Sequence, residues 1–247
     1  MNRSQVRKAA LAELEFHGSD RQGSLLRQII LGGQDGLVNV LGVILGVASG
    51  TNDIRIVIIA GLAATFAESI SMAAVAYTSA RAEQDYYHKM VEHEKQEIRD
   101  LPEVEREEIR LIYMKKGFRG HQLEAIVKKI TSDKNVWLQV MMAEELKLDD
   151  ADSVKPVSEG FVVGLSATVG SFVPLTPFLM VPFSVITLPQ AMLISAGVSA
   201  LVLFAAGAYK ARITVGNWVK SGIEMAGIGM LAALAGYAIG ALAGIVL

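Results

Sequence analysis

Five apolar runs, at residues 29–49, 54–80, 157–181, 188–209 and 222–247, decide what this chain can fold into. A helix needs ~20 apolar residues to cross a bilayer, and each run is long enough. The chain is 52% hydrophobic, more than a soluble domain of 247 residues needs. Between the second and third runs, residues 81–155 are too polar for lipid. The pattern predicts an all-α integral membrane protein with five transmembrane helices and a helical domain between spans two and three. Within that domain we read helices at 81–100, either separate from span two or continuous with it, and at 102–116, 121–130 and 134–148, with Pro102 opening the second and Gly117 and Gly120 as breaks. The third span is broken by Pro174, Pro177 and Pro182, which a spanning helix tolerates only if neighbours satisfy the freed carbonyls or if its last part lies at the interface.

Lysine and arginine set the expected orientation. Arg3, Arg7, Lys8, Arg21 and Arg27 precede span one, residues 81–155 are rich in both, and Lys210, Arg212 and Lys220 follow span four. These segments belong on the cytoplasmic side. The opposite loops, 50–55 and 182–189, hold only Arg55. The N-terminus is therefore expected in the cytoplasm and the C-terminus outside. The first 28 residues are polar and predict no cleavable signal peptide.

Two carboxylates sit inside apolar runs, Asp35 in span one and Glu68 in span two. A carboxylate at that depth is expensive and marks a functional site. Asp35, Asn39, Gly42 and Gly46 share one helix face, as do Gly61, Thr65, Glu68 and Met72. Two acidic stripes with one thioether suggest a cation path. Gly42, Gly46 and Gly50, and separately Gly236, Gly240 and Gly244, form small-residue ridges that let helices approach closely. Packing within one subunit and a dimer seam both fit these ridges.

The polar domain repeats acidic pairs: Glu94 with Glu97, Glu105 with Glu108, and Glu145 four residues after Met141, beside Met142. Each pair projects from one helix face. Turned inward, they would offer hard oxygens and thioethers to a transition metal. Turned outward among Lys95, Arg99, Arg106 and Arg110, they would be a solvated face. Both readings stand on spacing alone. Asp85-Tyr86-Tyr87-His88 is a single weak copy of the Glu-x-x-His element of a di-iron site, and His93-Glu94-x-x-Glu97 lacks the second His of a zinc protease. The chain has no cysteine, so thiolate metal sites and disulfides are excluded. A net charge of −2 argues against nucleic acid as a partner.

Several segments resemble the vacuolar iron transporter family: Gln34-Asp35-Gly36-Leu37, Ser71-Met72, AYTSARAEQDYY at 76–87, Trp137 with Met141-Met142 and Glu145-Leu146, and Val173-Pro174-Leu175-Thr176-Pro177. The likeness runs from about Arg27 to the C-terminus, and the order and spacing of the motifs make it specific. The resemblance implies a homodimer with an ion path between the two first spans. It implies proton-driven export of Fe2+, and also Mn2+, from the cytoplasm. By motif position, Asp35 and Met72 would ligate metal in the membrane. Glu94, Glu97, Glu105, Glu108, Met141, Met142 and Glu145 would form a cytoplasmic metal site. This weighs against the solvated-face reading. Plant members carry an acidic residue two turns before the methionine of Ser71-Met72, where this chain has Ala64; Glu68, on the same face, is the candidate replacement.

The domain plan is then a cytoplasmic segment 1–28, helices one and two at 29–80, a cytoplasmic metal-binding domain at 81–155, and helices three to five at 156–247. The expected partners are divalent metal ions (Fe2+ first, with Mn2+, Co2+ and Zn2+ considered), protons, the lipid bilayer and a second copy. No permanent cofactor and no enzymatic reaction is expected. The short tails suggest a prokaryotic plasma membrane. Two alternatives remain open: a membrane-anchored iron-storage or ferroxidase protein, and a passive channel with an acidic cytoplasmic domain.

Overall fold

A computed structural model describes residues 5, 7, 21–148, 151, 154–213 and 216–246. Arg3 and Lys8, used above for orientation, lie outside the described residues. The described elements are helical: α1 (Arg21–Thr51), α2 (Ile54–Asp100), α3 (Pro102–Lys115), α4 (Gly120–Thr131), α5 (Lys134–Val140) with a π-helical turn Met141–Glu145, α6 (Pro156–Leu179), α7 (Leu188–Ile213) and α8 (Trp218–Val246). Among these residues, five helices are long and apolar enough to cross a membrane. The protein is an integral membrane protein.

The chain divides into two compact units, residues 1–77 with 157–247, and residues 78–156. In the first, large apolar side chains point outward: Leu193, Leu201, Leu231, Ile70 and Ile239 are all exposed. Such a surface fits lipid and not water. Helix starts follow local chemistry. Asp53 Oδ1 accepts from Arg55 N (2.8 Å) at α2, and Asn217 Oδ1 accepts from Val219 N (3.0 Å) at α8.

The two glycine ridges face each other inside this one chain. A Cβ at Gly240 would fall 1.8 Å from the Gly46 carbonyl oxygen, and one at Gly46 would fall 2.8 Å from that of Gly236. Ser49 Oγ also donates to Tyr237 O at 3.0 Å. The ridges are thus consumed by packing of α1 on α8, the intrachain alternative. A similar approach joins α1 to α6, where a Cβ at Gly36 would meet Ala167 O at 2.3 Å.

The third span is not broken where its prolines suggest. Pro174 and Pro177 lie inside α6, and only Pro182 lies beyond it, in a 3-10 turn at Val181–Phe183. Hydroxyls serve this stretch: Thr176 Oγ1 donates to Phe172 O (2.7 Å) and Ser195 Oγ to Pro174 O (2.7 Å). These bonds reach carbonyls beside the two that Pro174 and Pro177 leave without an N–H donor, those of Gly170 and Val173.

The second unit has its own core of Ile98, Ile109, Leu123, Val127, Ile130, Trp137 and Met141. Gly117 (φ +101°) and Gly120 (φ +54°) turn the chain between α3 and α4 in the left-handed region that favours glycine. Asp133 Oδ1 caps α5 through Asn135 N at 2.8 Å. The helix expected over 134–148 keeps its α form only to Val140. It then widens into the π-turn, closed by Leu146 N donating to Met141 O (3.2 Å) and Leu148 N to Met142 O (3.0 Å).

Candidate metal centre

Three carboxylates from three elements converge in the second unit. Ligand oxygens of Glu94 (α2), Glu105 (α3) and Glu145 (π-turn) lie within 4.8 Å of one another. Glu94 and Glu105 are 2% and 3% exposed, while Glu145 is exposed at the edge of the group. The π-turn inserts its extra residue between the core position Met141 and Glu145, and such turns recur at functional sites. Glu94 and Glu105 stand close enough to share a side-chain hydrogen bond when one of them is protonated. Glu94 Oε1 and Glu105 Oε2 are buried without any hydrogen-bond partner.

The electrostatics follow from this crowding. Burial pushes the Glu94 carboxyl up to about 8, helped by Glu105, Glu145 and Glu97. Burial also raises Glu105, with Glu108 and Glu97 adding to it. Glu145 is pushed up to about 7 by partial desolvation of its carboxyl, then by Glu108, Glu105 and Glu97. Glu97 and Glu108 therefore flank the trio closely enough to repel it. His93 Nδ1 sits 2.8 Å from Glu97 Oε2 on the exposed side.

Four nearby lysines and arginines pair with other acids, while a charged His93 would draw Glu105 down. Lys95 pairs with Glu92 (2.7 Å), Arg106 with Glu103 (2.7 Å), Arg110 with Glu107 and Glu124, and Lys116 with Glu144. The solvated face is built from this second set of acids. Two buried carboxyl oxygens without partners, set among crowded acids, are a conflict that a cation would relieve. Met141 packs in the apolar core, and Met142 is 4% exposed beside it. The structure brings together Glu94, Glu105 and Glu145, keeps Glu97 and Glu108 adjacent, and gives Met141 a packing role.

Linkage sets a testable sign here. These carboxyls have folded values raised above the ordinary 4.5, so protonation favours the folded state. Their stabilising effect is complete below about 4.5 and is lost as pH rises toward about 8. Melting of the metal-free full-length protein should therefore fall across pH 5–8. Added Mn2+ should flatten that slope, because the cation favours the charged forms. A metal-free melting temperature that rises across this range would contradict the assignment.

In the membrane unit, the Glu68 carboxyl meets the side chains of both Asp35 and Asn39. Span-one and span-two acids thus form one group. Asp35 and Glu68 are half-buried and Asn39 is exposed; Met72, one turn beyond Glu68, is half-buried. Sequence reading placed Asn39 on the Asp35 face but did not include it among the candidate ligands. Its four-residue spacing from Asp35 was the available signal.

Residues 26–241 match the VIT family. The chain is 33% identical over 214 residues to Vacuolar iron transporter 1 of Tulipa gesneriana, covering 87% of this chain and 85% of that protein. It is 29% identical over 215 residues to Vacuolar iron transporter 1 of Arabidopsis thaliana, covering 87% and 84%. It is 28% identical over 231 residues to the Vacuolar iron transporter of Plasmodium falciparum, covering 92% and 84%. With five membrane-spanning helices and a match over most of its length, the chain belongs to the VIT family.

Proposed function

We propose that this protein exports divalent transition metal from the cytoplasm in exchange for protons, with Fe2+ the main cargo and Mn2+ a second. The observation that carries the reading is the trio Glu94, Glu105 and Glu145, buried or crowded with no lysine or arginine partner among the described residues, while neighbouring lysines and arginines pair elsewhere. Family membership supplies the transport context, since the relatives are named iron transporters. The protein acts in this reading as a transporter and not as an enzyme.

The second unit faces the cytoplasm and collects metal through Glu94, Glu97, Glu105, Glu108 and Glu145, with the thioethers of Met141 and Met142 near the site. The N-terminus lies on the same side and the C-terminus outside, in a prokaryotic plasma membrane. Asp35, Glu68 and Met72 form the membrane path. Exposure of Asn39 and part of Asp35 on the membrane unit supports a homodimer, because lipid cannot solvate those groups. Occupancy of Asp35 and Glu68 by metal or by protons in turn couples the two fluxes. Glu68→Gln should then weaken the dependence of metal flux on a pH gradient. Unchanged dependence would leave Asp35 as the sole coupling group.

Proteoliposome flux tests the whole proposal, with Fe2+, Mn2+, Co2+ and Zn2+ supplied in turn, with and without a pH gradient. Replacing Glu94, Glu97, Glu105 and Glu108 together by Gln should lower flux several-fold at limiting metal and spare it at saturating metal. The same variant should lose most of the Mn2+-induced gain in melting temperature. If it binds metal as well as the parent, the cluster is only a solvated face.

A further inference from the structure

Two buried hydroxyls in the membrane unit have no hydrogen-bond partner, Ser171 Oγ on α6 and Ser199 Oγ on α7. Both residues are 0% exposed. Serines in helices ordinarily donate to a carbonyl one turn back, as Ser69 does to Thr65 O at 2.7 Å. Ser171 and Ser199 do not, so each carries the desolvation cost of an unmade bond.

The fold sets them at one level. Leu175, Phe178 and Ala191 belong to one core cluster, whereas Val173 borders another that contains Leu203, which is the order of antiparallel α6 and α7. Ser195 Oγ reaches Pro174 O at 2.7 Å and fixes the register. One turn further along α7 on the same face is Ser199, and about one turn back along α6 is Ser171. A third polar group belongs to this level. Pro174 has no N–H, so the buried Gly170 carbonyl lacks its usual donor four residues on. Ser171 Oγ also lies against α1, 2.7 Å from where a Cβ on Gly36 would stand.

We infer that Ser171, Ser199 and the Gly170 carbonyl hold one internal water between α6 and α7, behind the α1 turn that carries Asp35. Three polar partners are what a buried water typically has, and two hydroxyls with a carbonyl can satisfy its donors and acceptors together. The site is distinct from the Asp35, Asn39 and Glu68 group, which gathers on the α1–α2 side.

A double-mutant cycle on the full-length protein tests it. With a shared water, Ser171→Ala and Ser199→Ala should each lower the melting temperature by about 2–4 °C. The double variant should lose no more than the larger single loss, since either change releases the same water. Singles that leave stability unchanged or raise it would show the hydroxyls are simply dry, and additive losses would show they do not share a ligand. Either result overturns the inference. Radiolytic hydroxyl labelling gives a second readout. Val173 and Leu203 should be labelled in the parent and several-fold less in Ser199→Val, whose added bulk fills the site. Absence of label on both in the parent would also overturn it.

Discussion

Asp35→Asn should reduce metal flux in proteoliposomes to background while the protein still folds and inserts. Asn keeps the shape and removes the charge. A divalent cation that has shed water needs that charge, because lipid-depth surroundings offer little else to stabilise it. Losing ~3 kcal/mol of cation stabilisation corresponds to on the order of 100-fold in occupancy. The variant also separates two roles for the Asp35–Glu68 pair, which meet directly. If Glu68 alone carried the cation, Asp35→Asn would relieve repulsion and leave transport intact. Flux near the parent value would remove Asp35 from the path.

Gly240→Leu should be the most damaging single change to the fold. Its Cβ alone would stand 1.8 Å from the Gly46 carbonyl oxygen, a backbone atom that cannot rotate away. Overpacking of side chains costs ~1–3 kcal/mol, and a backbone collision exceeds that because two helices must separate. We expect loss of the monodisperse folded fraction on size-exclusion chromatography. Gly197→Ala is the control: a Cβ there meets nothing within 4 Å, and alanine is the better helix former. Gly240→Leu behaving like Gly197→Ala would mean α1 and α8 are not in contact.

The spans were readable from sequence because the bilayer leaves few options. A long apolar run must be a helix, although the helices outrun the apolar stretches, α1 starting at Arg21 and α2 continuing to Asp100. The glycine ridges were half readable. Four-residue spacing shows that Gly42, Gly46 and Gly50 share a face, yet it says nothing about which helix that face meets. Their partner turned out to be Gly236, Gly240 and Gly244 of the same chain. Pro174 and Pro177 misled because proline is usually a helix breaker, whereas α6 continues through both with Thr176 and Ser195 donating to nearby carbonyls.

The acidic group was readable as residue types and not as geometry. Spacing marks Glu94 with Glu97 and Glu105 with Glu108 as equivalent pairs. Only packing decides that the first of each pair turns inward with Glu145. The deciding contacts are Ile98 and Ile109, each four residues beyond its glutamate and buried in the core. The π-turn at Met141–Glu145 has no pattern of its own, so the separation of Met141 from Glu145 could not be foreseen.

The pairing of first and last membrane helices also bears on biosynthesis. Ser49 and Tyr237 are hydrogen-bonded across 188 residues of chain. At about 5–20 residues per second, the ribosome needs roughly 10–40 s between making one and making the other. Through that interval the glycine face of α1 has no partner from its own chain and must be sheltered by lipid or by the insertion machinery. Any truncation before α8 leaves this face permanently open. Nonsense mutations late in the coding region should therefore be cleared by membrane quality control as efficiently as early ones.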